Sequence, residues 1–158
     1  MKKTILVMLS GGLDSCYMLY YYLTQTDHDV HAHYISLRYP SESRWREEDI
    51  ASRKIVEYCR SIRVFDYTES RFDIGFKRYV GRDSIDYPLG EHISREILYP
   101  LMEMNMTKAT MMAALPQELR EITWSCRRPV YDESGASHPC GQCKPCMTIR
   151  NIDGLVLC

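Results

Sequence analysis

The apolar run Thr4–Leu9 stops abruptly at Ser10-Gly11-Gly12-Leu13-Asp14-Ser15, and this junction constrains the fold more than any other stretch of the chain. A β-branched, apolar run without polar alternation predicts a strand buried on both faces. The glycine pair ends that strand. Asp14 or Ser15 then caps a helix running to about Thr24, with Met18, Leu19, Tyr22 and Leu23 available for its buried face. Residues 29–37 read as a second strand and residues 40–44 as a polar turn. Residues 45–59 read as a charged helix whose Ile50, Lys54, Val56 and Tyr58 fit no single stripe, and residues 63–67 as a third strand. Strand and helix in alternation imply right-handed crossovers and a parallel sheet, so the expected class is α/β.

The second half is less regular. A short strand is expected around residues 78–80, and a helix over residues 91–104 until Pro100 interferes. Residues 107–115 are helical in composition and end at Pro116; residues 122–126 are short and apolar. From Arg127 to Met147 the chain reads as loop. A length of 158 residues suits one compact domain with a core, here read as an α/β domain over residues 1–125 and a metal-binding segment over residues 126–158.

Composition excludes several classes. Formal net charge is -1, so no global basic field recruits nucleic acid, and direct nucleic-acid binding is not expected. No apolar run approaches the roughly 18 to 20 residues of a membrane span. The opening Met1-Lys2-Lys3 and its apolar run resemble a signal peptide, but Ser10 and Asp14 interrupt the run and no Ala-x-Ala site follows. The expected location is cytoplasmic.

The glycine junction also has a chemistry. A strand ending in Ser-Gly-Gly before a helix points backbone N–H groups and a helix dipole at one spot, which makes an anion site. The glycines permit positive φ and let a phosphate approach without an intervening Cβ. Ser10 and Ser15 add hydroxyl donors. Asp14 would repel bare phosphate, so it implies a bridging Mg²⁺ or a role in orienting the loop. The plainer reading is a tight turn with Asp14 as N-cap. A Walker A loop is excluded, because the Gly-Lys-Ser/Thr ending is absent.

Seven cysteines are present, an odd number, and three crowd into Cys140-Gly141-Gln142-Cys143-Lys144-Pro145-Cys146. A disulfide scaffold would be shorter, even in count and more evenly spread. With Cys126 upstream, four thiolates close a tetrahedral zinc site, leaving no open position for catalysis. His138 is a competing ligand, read here as a loop residue. Cys16, just after the glycine loop, is expected to pack rather than react.

Together, in this order, the two motifs resemble the 7-cyano-7-deazaguanine synthases of the PP-loop ATP pyrophosphatase superfamily. Residues 10–15 match the PP-loop. The charged helix, Thr107-Lys108-Ala109, Thr123-Trp124-Ser125-Cys126, residues 139–146 and Arg150 resemble further elements of that family. The resemblance implies a three-layer parallel sheet of the adenine nucleotide alpha hydrolase type. It implies ATP and Mg²⁺ at Ser10, Gly11, Gly12, Leu13, Asp14 and Ser15, with Asp14 and Lys108 in catalytic roles; a solvated helix lysine is the plainer reading of Lys108. The implied reaction converts 7-carboxy-7-deazaguanine and ammonia, through an amide, to the nitrile. A second copy of the chain is the candidate protein partner.

The middle departs from that family. Its Pro-Gly-Arg-Asn segment is missing, residues 79–88 resemble a remnant, and the gap between Cys126 and Cys140 is longer than usual. The shortened middle suits a bacteriophage gene. Two other readings compete: a degenerate nucleotide-binding protein with lost or amide-only activity, and a tRNA-thiolating PP-loop enzyme. Four-cysteine closure argues against the latter.

Overall fold

The computed structural model describes residues 2–39, 42–73 and 98–153. The protein is α/β, built on a three-stranded parallel sheet in the order β1 (Thr4–Leu9), β2 (Asp29–Arg38) and β3 (Asp66–Asp73). Helices α1 (Leu13–Gln25) and α2 (Trp45–Arg60) form the crossovers. In register, Ile5 lies opposite Val30, Val7 opposite Ala32 and Leu9 opposite Tyr34, so one sheet face is a continuous apolar surface. Cys16, Leu19 and Leu23 of α1 and Ile55, Val56 and Cys59 of α2 join those strand residues in a single buried cluster.

β1 is not buried on both faces as expected. Its pattern alternates, and Leu6 and Met8 are 55 % and 45 % exposed. The physical reason is that α1 and α2 pack onto the Ile5, Val7 and Leu9 face alone. The opposite face carries a polar ladder, in which Thr68 Oγ1 lies 2.8 Å from His31 Nε2 and 2.7 Å from His33 Nδ1. Two other boundaries move. β3 starts and ends later than expected, and α1 starts at Leu13, with Gly12 at its N-cap and no side-chain cap.

α2 lacks a clean apolar stripe because part of its buried face is polar. Asp49 is buried and accepts a hydrogen bond from the Tyr34 hydroxyl at 2.6 Å, with the Arg38 guanidinium 3.2 Å away. Ala51, Ser52, Ile55, Val56 and Cys59 fill the rest of that face. Burial pushes the Cys59 thiol up to about 12 and, with Cys59 nearby, the Cys16 thiol higher still; both are packing groups at neutral pH. Ile55 is fully buried against this cluster. Ile55→Ala is expected to cost about 2 to 5 kcal/mol, read as a lower urea midpoint at unchanged slope.

Among the described residues four short helices follow: α3 (Pro100–Glu103), α4 (Lys108–Ala114), α5 (Gln117–Ile122) and, after a hairpin, α6 (Lys144–Asp153). Pro100 begins α3; at the first helical position its missing N–H costs nothing. Thr107 caps α4 through a capping box with Thr110, which fixes where Lys108 emerges. Met111, Met112, Leu115, Leu119 and Ile149 tie α4, α5 and α6 to the common core. The strand expected at residues 78–80 and the first part of the helix expected at 91–104 lie outside the described residues.

The stretch expected to be loop contains structure. β4 (Val130–Tyr131) and β5 (Ser137–His138) pair antiparallel, closed by a turn in which the Asp132 carboxylate accepts from the Ser134 and Ala136 amides. Two-residue strands carry too little periodicity to be read from sequence. No described helix is long and apolar enough to cross a membrane.

Candidate functional site

The glycine loop sits at the carboxyl end of β1, where open parallel sheets expose their loops to ligands. Gly11 has φ of 75°, a left-handed conformation that side chains avoid. A Cβ there would lie 2.9 Å from the Glu48 carbonyl oxygen and 3.2 Å from the Ala51 Cβ, so α2 leaves room only for glycine. Gly12 differs from expectation. Its φ is -86°, and a Cβ would meet nothing closer than 3.5 Å. Only one of the two glycines is required by conformation.

Ser15 organises the loop. Its hydroxyl accepts the Ser10 N–H at 3.0 Å, lies 3.0 Å from the Ser10 Oγ and donates to the Gly12 carbonyl at 3.2 Å. The two hydroxyls expected to face a ligand are therefore engaged with the loop itself. Leu13 is 2 % exposed and belongs to the core, so it offers the site only its amide. The first intrahelical bond runs from Cys16 N–H to Gly12 C=O at 3.0 Å. The amides of Leu13, Asp14 and Ser15 precede it and have no partner within the helix. Amides and dipole together favour an anion here.

Asp14 and Lys108, separated by 94 positions, meet at this loop: the Lys108 ammonium donates to the Asp14 carboxylate, and both groups are roughly half exposed. Lys108 is thus no free surface lysine. A single carboxylate beside amides that have no helical partner fits the usual Mg²⁺ arrangement, in which one or two carboxylates and the substrate's own phosphates share the ion.

The second site is the cysteine cluster. The sulfur atoms of Cys126, Cys140, Cys143 and Cys146 lie within 4.8 Å of one another. Cys143 and Cys146 sulfurs are 3.3 Å apart, and those of Cys140 and Cys146 are 4.0 Å apart. Four thiolates about 2.3 Å from a tetrahedral ion would stand about 3.8 Å apart, so these spacings bracket what a metal needs. Cys126 and Cys146 are buried, while Cys140 and Cys143 are partly so. The knuckle is shaped by backbone: Cys143 N–H points to the Cys140 sulfur at 3.3 Å, and Cys140 N–H to the Cys126 sulfur at 3.3 Å. The amides of Gln142 and Cys143 lower the Cys140 thiol to about 7, whereas burial raises Cys126.

Gly141, with φ of 67°, makes the turn, and a Cβ there would lie 2.7 Å from an Arg150 guanidinium nitrogen. Pro145 falls in the first turn of α6, where proline is tolerated. His138 is not part of the cluster; its Nε2 lies 3.0 Å from the Asp132 carboxylate and holds the hairpin.

The two sites are joined by one strand of backbone. Trp124 N–H donates to the Gly11 carbonyl at 2.8 Å, and the Trp124 indole N–H donates to the Cys126 carbonyl at 2.9 Å. Sequence reasoning did not foresee this tie, because a main-chain bond leaves no compositional signal. It also passed over Arg127-Arg128, although the pair follows directly on the candidate ligand Cys126. Comparison of the chain with known families, curated proteins and solved structures finds no match.

Proposed function

We propose that the protein is an ATP-dependent carbon–nitrogen ligase that converts 7-carboxy-7-deazaguanine and ammonia to 7-cyano-7-deazaguanine. The proposal includes a three-layer PP-loop fold, zinc in the cysteine cluster, and a cytoplasmic setting. What carries the reading is the convergence at one loop: the left-handed Gly11, the opening amides of α1 that precede its first intrahelical bond, and the Asp14–Lys108 pair. The carrying resemblance is that of residues 10–15 and of the Trp-Ser-Cys and Cys-x-x-Cys-x-x-Cys elements.

A carboxylate is a poor electrophile until one oxygen becomes part of a leaving group. In the proposed reaction its oxygen displaces pyrophosphate from ATP, and ammonia then displaces the nucleotide to give the amide. A second activation, on the amide oxygen, allows loss of that oxygen and two protons to leave the nitrile. The chain's task is positioning and charge stabilisation. Amides of residues 13–15 receive the phosphates, and Lys108 turns from Asp14 toward the departing pyrophosphate. Asp14 would hold Mg²⁺, which would supply further neutralisation of the phosphates. The zinc site plays no chemical part; it holds Trp124 against Gly11.

The second reading is a nucleotide-binding protein that has lost turnover or stops at the amide. The exposed Leu6 and Met8 on the open sheet face favour it, because they leave the substrate's wall unassigned among the described residues. One assay separates the two. Zinc-loaded protein with Mg-ATP, ammonium and the carboxylate substrate is expected to yield nitrile by mass spectrometry. Amide alone supports the partial enzyme, and neither product supports the binding protein. Asp14→Asn is expected to reduce turnover at least about a hundredfold, in the range seen for lost electrostatic groups, with zinc content unchanged. Undiminished turnover would remove Asp14 from its role.

A further inference from the structure

Beside the glycine loop lies a second cavity that the proposed reaction does not use. It measures about 830 Å³ and is lined by Tyr39, Glu42, Ser43, Arg44 and Arg127-Arg128-Pro129. Its walls come from the carboxyl end of β2, the residue preceding α2, and the stretch that follows Cys126. Three arginines face one glutamate, in a chain whose net charge is -1.

Two of these charges are not spent on internal pairing. Arg44 is the exception: its Nε is ion-paired with Glu42 and Glu48, whose oxygens lie 3.2 and 3.8 Å away. The guanidiniums of Arg127 and Arg128, both exposed, have no hydrogen bond or ion pair among the described residues. Their backbone, by contrast, is held: Arg128 N–H points to the Cys126 sulfur at 3.4 Å. Two adjacent cations are therefore mounted on the metal knuckle, across from a third at the start of α2. Isolated solvated arginines repel one another. A cavity of this size, within the range of ligand sites, gives them a common occupant.

We propose that Arg44, Arg127 and Arg128 form a second anion site, distinct from the glycine loop, that takes a phosphate-bearing ligand. Planar guanidiniums bind phosphate oxygens in pairs, and the adjacent Arg127 and Arg128, with Arg44 facing them, match a ligand with more than one negative charge better than a single carboxylate. The phosphate comes from a free nucleotide or from a nucleic-acid strand lying across the mouth. The site is independent of the ATP-loop reading.

The test is titration of zinc-loaded, full-length protein with inorganic pyrophosphate, comparing wild type, R127A/R128A and Gly11→Ala. Zinc content and circular dichroism verify folding, which exposed arginine substitutions leave intact. Wild type is expected to show two classes of site. R127A/R128A loses one of them, with affinity down at least about tenfold, while R127K/R128K retains part of it. Gly11→Ala keeps that class and loses the other. An R127A/R128A isotherm that overlays wild type, or a wild type that binds no pyrophosphate, overturns the second site. A Gly11→Ala isotherm that overlays wild type overturns the loop reading instead. Parallel titrations with a nucleoside triphosphate and a single-stranded oligonucleotide identify the source. Loss of about one to two units of salt slope in R127A/R128A marks the nucleic-acid case.

Discussion

Cys126→Ser is expected to strip the metal from the knuckle and to unfold the segment that carries it, with consequences at the glycine loop. Cys126 is 2 % exposed, and its sulfur receives the Arg128 and Cys140 amides. A serine hydroxyl is a poor ligand for a soft thiolate site. Structural zinc contributes about 10 to 16 kcal/mol in peptide systems at neutral pH, comparable to the roughly 5 to 15 kcal/mol of a whole domain. The hairpin of two-residue strands has little else to hold it, since its Val130 is 55 % exposed, whereas α6 keeps its core contact through Ile149. Metal analysis should fall from stoichiometric to background, and limited proteolysis should cut between Cys126 and Cys146. Chelation of wild type should give the same pattern. Because Trp124 bonds both Gly11 and the Cys126 carbonyl, anion binding at the loop should weaken as well. Full metal retention by Cys126→Ser would remove it from the ligand set, and iron in place of zinc would overturn the structural-zinc reading.

Gly11→Ala and Gly12→Ala make the second large prediction, through their contrast. Alanine at Gly11 must adopt a φ of 75° and place its Cβ 2.9 Å from a backbone oxygen of α2. The loop has to move, and each charge-assisted bond it loses to a phosphate is worth about 1.5 to 3 kcal/mol. ATP affinity is expected to drop at least about tenfold and turnover with it. Alanine at Gly12, with φ of -86° and neighbours no closer than 3.5 Å, should change affinity little. Equal effects at both positions would mean that the loop is not read through its backbone geometry.

What was legible in the sequence follows from which signals are local. The opening strand, the glycine junction, α1, β2 and α2 were readable because periodicity and punctuation sit within a few residues of each other. The four cysteines were readable because ligand spacing is local too, and they meet as expected. Lys108 was named from the resemblance of Thr107-Lys108-Ala109, and the Thr107 cap puts it at the first position of α4. The open face of β1 was not readable: Leu6 and Met8 look the same in sequence whether a helix covers them or not. Nor was the polar buried face of α2, since Asp49 is satisfied by Tyr34 and Arg38, 15 and 11 positions away. The hairpin, the Trp124–Gly11 bond and the arginine-lined cavity depend on contacts between distant segments. Only the Arg127-Arg128 pair left a trace in the sequence.

The claim on which the rest depends is that the turn after β1 receives the phosphates of a nucleotide. Titration calorimetry of zinc-loaded protein with Mg-ATP tests it most directly. Saturable heat is expected in wild type, with Gly11→Ala removing the component that R127A/R128A retains. Absence of any heat with ATP, from protein shown to carry its full complement of zinc, would contradict it.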